Sequence, residues 1–125
     1  MEQFVQKIAS ELVGNPFNKD SKPIPFVLLT KTGDMLIAIG QDKLRGTFLS
    51  PYFILNKYIK EYCCAELTIL EPVGIDGCPV DHLENFYSIK KTEHCIVVSL
   101  KNFTAFQTFS SNFVDRPTIN LCEDK

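Results

Sequence analysis

The sequence predicts an all-β domain, an antiparallel sandwich-like fold preceded by one short N-terminal α-helix. Three observations carry this. Short runs rich in β-branched and aromatic residues recur along the chain, each closed by a turn signal. Ten Phe and no Trp give a skewed aromatic usage, and Phe26, Phe53, Phe86, Phe103, Phe106 and Phe109 fall in or beside those runs, where core packing is the expected role. A helical spacing of apolar residues is confined to the N-terminus.

Taken in order, Phe4, Val5, Ile8, Leu12 and Val13 recur at helical spacing, and Gly14-Asn15-Pro16 stops the helix, giving an amphipathic element over 1–14. Its apolar face is expected to fold back on the sheet, with docking into a neighbouring chain as the alternative. Residues 15–23 are polar and broken by Pro, so they read as a connector. The β domain spans 24–114. The runs 25–30 and 35–39 flank Lys31-Thr32-Gly33-Asp34, a hairpin signal in which Gly33 can take the positive φ of a tight loop. Further strands are expected at 53–58, 64–70, 86–90, 95–100 and 103–109, with Pro51 marking an entry point. Residues 71–83 hold two Pro and two Gly and read as a long loop around Cys78. Residues 115–125 are expected to form a flexible C-terminal tail.

At 125 residues the chain is one domain with enough apolar content, 45%, to bury a core without staples. The formal net charge is −2 and Lys and Arg are scattered, which argues against nucleic acid or acidic lipid as a partner. No apolar run reaches the length of a membrane span. The first residues lack a basic segment followed by an apolar one, so no secretory signal is read there and synthesis in a cytosol is expected.

The five cysteines, at 63, 64, 78, 95 and 122, pose the sharpest functional question. An odd count leaves at least one unpaired within a monomer. Cys63 and Cys64 open the run Cys63-Cys64-Ala65-Glu66-Leu67-Thr68-Ile69-Leu70. On a strand, neighbours point to opposite faces, so if one thiol enters the core the other faces outward as a reactive group or a cross-linking handle. Cys95, before Ile96-Val97-Val98, is expected to be buried. Cys122, beside a charged terminus, is expected to be exposed.

Other constellations carry less. Cys78, His82, His94 and Cys95 hold the inventory of a structural zinc site, but His94 and Cys95 are adjacent and would point apart on a strand, so no metal site is assigned and both His are given structural roles. Cys, His and Asn are all present, yet no nucleophile turn places them as a hydrolase. Gly33, Gly40 and Gly46 lie too far apart to cradle a phosphate. No catalytic residue, enzyme activity or cofactor is therefore assigned.

The ordered blocks 24–33, Ser50-Pro51-Tyr52-Phe53, 63–70, 92–100 and Phe103-Thr104-Ala105-Phe106-Gln107 together resemble the spore coat family of CotY, CotZ and ExsY. The resemblance covers roughly residues 24 to 107. It implies a structural protein, made in the mother-cell cytoplasm and deposited on the spore surface in the outer coat, crust or exosporium. It further implies self-assembly into a two-dimensional hexameric lattice reinforced by disulfides, with other copies and other coat proteins as partners. On that reading one member of Cys63/Cys64, together with Cys78 and Cys122, supplies the links between subunits. Family members typically carry more cysteines, and this chain has Thr108 where a cysteine often follows the block ending at Gln107, so its cross-linking is expected to be sparser. The alternative is an accessory binding module that recruits another coat protein or a glycan without forming a lattice.

Overall fold

The computed structural model describes residues 23–42, 46–81 and 85–121. The expected N-terminal helix lies outside the described residues. Among the described residues, seven strands form two antiparallel sheets: β1 (Phe26–Thr30), β2 (Ala38–Asp42), β3 (Gly46–Ser50), β4 (Phe53–Ile59), β5 (Cys64–Val73), β6 (Ser88–Ser99) and β7 (Phe103–Thr108). The larger sheet has the order β6-β5-β4-β1-β7, and β2 and β3 pair only with each other. The all-β, antiparallel expectation holds.

The small sheet is a lid on the large one. Ala38 and Phe48 face inward and join Phe26, Leu28, Phe53, Ala65, Leu67, Ile69, Leu100 and Phe103 in one core. Alternation along each strand aligns these apolar side chains on one face. Gly40 makes the close approach possible, because a Cβ there would run into the Phe48 ring. A second core forms on the opposite face of the large sheet, from Val27, Tyr52, Ile54, Leu70, Ile89 and Val114. Phe86, Phe109 and Phe113 pack around it, with edge-to-face contacts from Phe86 to Tyr52 at 5.0 Å and to Phe113 at 5.2 Å.

Several expectations need adjustment. The 31–34 turn forms, with Thr30 N–H donating to Asp34 O and Gly33 at φ 88°. Pairing across it stops after Leu36 N–H donates to Leu28 O. The chain then crosses to the small sheet, so 35–39 does not continue as the second arm of a β1 hairpin. β3 was not expected at all. Only Phe48 and Ser50 of its five residues are buried, and one of them is polar. The two strands expected at 86–90 and 95–100 are one strand, β6, with a register shift opposite Thr68 and Leu70 that absorbs the polar segment between them.

Ser50 joins the layers through hydrogen bonds. It is fully buried, its hydroxyl donates to Leu70 O and accepts from Tyr52 N–H at 3.1 Å, and Leu70 N–H donates to Tyr52 O at 2.9 Å. In the middle of the large sheet, β1 and β4 are in register at one position, Phe26 opposite Phe53.

Candidate functional site

The feature that singles itself out is the outer side of β6. This 12-residue strand ends the large sheet and is bonded to β5 along one side. The Leu100 N–H bond to Cys63 O fixes which residues of β6 face β5, since bonded and non-bonded pairs alternate along an antiparallel ladder. Ile96 and Val98 turn their backbone groups to β5. Cys95, Val97 and Ser99 turn theirs away from it. Toward the other end, the edge is covered: Val114 bridges Ile89 in parallel, Asp115 N–H donates to Ile89 O at 3.0 Å, and Lys91 N–H donates to Asp115 Oδ1 at 3.0 Å. Among the described residues, nothing comparable covers Cys95 to Ser99.

Cys95 is exposed, which corrects the expectation that it is buried. The run Ile96-Val97-Val98 is apolar throughout but alternates in direction: Ile96 and Val98 pack against the core, while Val97 is 63% exposed. Cys95 shares the outward phase of Val97. Its sulfur accepts from Asn56 Nδ2 at 3.3 Å and lies 3.8 Å from Thr68 Oγ1. Thr68 Oγ1 donates to Asn56 Oδ1 at 2.7 Å, and Asn56 Nδ2 also reaches Glu66 Oε2 at 3.5 Å. A polar cluster on three neighbouring strands therefore holds a free thiol on the outer face of the sheet. A register shift in β4 between Leu55 and Lys57 leaves Asn56 without a pairing partner on β5, a local irregularity that nothing in the sequence around Asn56 announces.

The other expected thiols are dispersed. Cys63 is not on a strand: it follows the 3-10 turn Lys60–Tyr62 with φ 54°, and its N–H donates to Lys60 O. Its half-buried side chain packs against the main core. Cys64 begins β5, is also half-buried, and its thiol donates to Tyr62 O at 3.3 Å. The phenol of Tyr58 is pushed above its ordinary pKa, first by burial and then by the Cys63 thiolate. Cys78 lies beyond the far end of β5. Its N–H donates to Asp76 Oδ1 at 3.0 Å and its carbonyl accepts from Gly74 N–H at 2.9 Å. Cys122 and His82 lie outside the described residues. The structure thus does not gather Cys63, Cys64 and Cys78 into one site. Among the described residues, no group of three His, Cys, Asp or Glu side chains is placed to hold a metal. No described helix is long and apolar enough to cross a membrane.

A strand edge whose backbone groups from Cys95 to Ser99 find no partner among the described residues, beside an exposed thiol and an exposed valine, has the features of an edge open to another strand. Comparison with protein families makes this particular. The family model described as spore coat protein Z matches residues 5–111, most of the chain, and the protein belongs to that family. Membership gives it a structural role in the spore coat and places it on the spore surface. No curated protein and no solved structure matches the chain.

Proposed function

We propose that the protein is a self-assembling subunit of the outer spore layers, without catalytic activity, that joins copies of itself into an ordered two-dimensional lattice reinforced by disulfides. The observation that supports this reading is the bare stretch of β6 from Cys95 to Ser99. Unpaired N–H and C=O groups on an edge strand favour addition of a strand from another chain. Cys95, exposed beside that edge, is the best placed of the free thiols to reach a neighbouring chain once strands have docked. Cys63 and Cys64 are half-buried and are assigned to links at a second contact. Hexameric rings are the order implied by the family resemblance, and other coat proteins are the expected partners. The subunits would assemble with thiols reduced inside the mother cell and be locked by oxidation outside it.

A second reading is an accessory module that binds another coat protein or a glycan without forming a lattice. Its support is the outer face of the small sheet, where Ile39 and Leu49 lie directly opposite each other and are 66% and 52% exposed, with Ile37 and Met35 nearby. Electron microscopy of the purified protein in reducing and in oxidising buffer separates the two. Ordered rings or sheets in both buffers, with covalent ladders on gels only after oxidation, support the lattice. Monodisperse monomers in both buffers remove it and favour the accessory module.

A further inference from the structure

We infer that the outer edge of β6 is self-complementary: two copies of the chain pair through it, antiparallel, about a two-fold axis at Val97. This rests on the proposed self-assembly and adds to it one contact, its register and the place it leaves for the thiols. Cys95, Val97 and Ser99 turn their backbone N–H and C=O groups away from β5 and meet no partner among the described residues. The stretch is closed at both ends. At Lys91 the N–H is already taken by Asp115 Oδ1. At Leu100 the chain enters a 3-10 turn, and its N–H donates to Cys63 O.

Register follows from backbone phase and charge. With Val97 on the axis, Val97 faces its equivalent and Cys95 faces Ser99 on either side, so every outward backbone group of the stretch is bonded. The valine pair covers a side chain that is 63% exposed in the single chain. At both ends the exposed Glu93 of one copy comes level with the exposed Lys101 of the other. Neighbouring axes do worse. An axis at Ile96 sets Lys91 against Lys101 of the second copy, like charge on like. An axis at Cys95 sets Ser99 against Lys91, whose N–H Asp115 already holds. An axis at Val98 takes Cys95 past the end of the facing strand, level with Lys101.

Strand geometry then decides what the exposed thiol can reach. The two copies of Cys95 lie on opposite sides of the axis, separated along the strands by about 14 Å at roughly 3.4 Å per residue. Bridged cysteines need Cα atoms within about 7 Å of each other. Cys95 is therefore not joined to its equivalent across this contact, which is held by backbone bonds, the valine pair and the two charge pairs. An isologous contact closes on itself as a dimer, so an extended array needs a second contact. Cys95, free and exposed on the sheet face, is left available for that other neighbour.

The test reads self-association of the full-length protein by sedimentation in reducing buffer at low salt, where surface charge is least screened. Glu93→Lys and Lys101→Glu each place like charges at both ends of the contact, and each alone should weaken association at least about fivefold. An equimolar mixture of the two variants sets opposite charges together again, as does the chain carrying both substitutions. Both should return to within about twofold of the unsubstituted protein. Val97→Cys supplies the geometric readout: oxidation with glutathione disulfide should join two chains through position 97. A mixture that associates no better than its parts, or a position 97 that stays unlinked in associating protein, overturns the inference. If electron micrographs of that protein still show rings or sheets, self-assembly stands and only this contact falls. Monomers at every protein concentration overturn both.

Discussion

Asn56 donates a hydrogen bond to the sulfur of Cys95 across 3.3 Å, joining β4 to an edge strand that is two positions away in the sheet. Thr68 on the intervening strand completes the cluster through its 2.7 Å bond to Asn56 Oδ1. This holds Cys95 at the surface, beside backbone groups that turn away from β5 and have no partner among the described residues.

Timed alkylation of the native protein should therefore modify Cys95 before Cys63 and Cys64, by about tenfold or more in rate, since access governs thiol reaction when the groups are chemically alike. Mass spectrometry of the partly labelled chain reads the order. Labelling of Cys63 first would contradict the exposures described.

Substituting Val97 with Pro removes an N–H that faces away from β5, so the β5–β6 ladder keeps its bonds while a docking strand loses one. Assembly should weaken strongly while urea stability changes by no more than about 1 kcal/mol. Val97→Lys, which blocks an edge by charge, provides a second variant. Undiminished assembly in both would remove β6 from the contact.

Gly40→Ala forces a methyl into the space held by the Phe48 ring. Overpacking of this kind costs typically about 1–3 kcal/mol, and the denaturation midpoint should fall accordingly. Gly40→Ala combined with Phe48→Leu should recover part of the loss, whereas additive losses would place the strain elsewhere.

Ser50→Ala leaves the Tyr52 N–H and the Leu70 carbonyl without their buried hydroxyl partner. The expected cost is about 1–3 kcal/mol in urea unfolding, read with an unchanged slope.

Burial raises the pKa of Tyr52 above its ordinary value, so the folded state resists ionisation of a phenol that ionises freely when unfolded. The contribution is fully present below the unfolded value of about 10 and is lost as pH rises from there through the folded value. Stability should drop across that alkaline window, and Tyr52→Phe should flatten the drop. An equal drop in the variant would assign the effect to other groups.

Much of this architecture is legible in the residues, and the parts that are not have physical reasons. β4, β5 and β7 carry β-branched and aromatic runs bounded by turns, so they stand close to where their composition places them. β3 is hidden because Leu49 points outward and Ser50 inward, which inverts the usual polarity of the pleat. β6 looks divided because its centre is polar, a composition that an edge strand tolerates. The exposure of Cys95 is set by the phase of alternation, and three consecutive apolar residues carry no phase. Cys63 and Cys64 look like strand neighbours, but the left-handed turn at Cys63 depends on the 3-10 turn before it. The Asn56–Cys95 contact joins residues 39 positions apart and has no local trace.

The single register pair between Phe26 and Phe53 has a mechanical consequence. The large sheet is stitched by long ladders on either side, β4–β5–β6 and β1–β7, yet between β1 and β4 the register holds at one pair, whose two rings lie tilted with centroids 6.4 Å apart. Hydrogen-bond ladders are stiff and directional, while apolar packing yields gradually and re-forms without a fixed register. Tension applied across the sheet would meet this seam. The seam beneath Phe26 and Phe53 is where this protein would give, and recover, before any ladder broke.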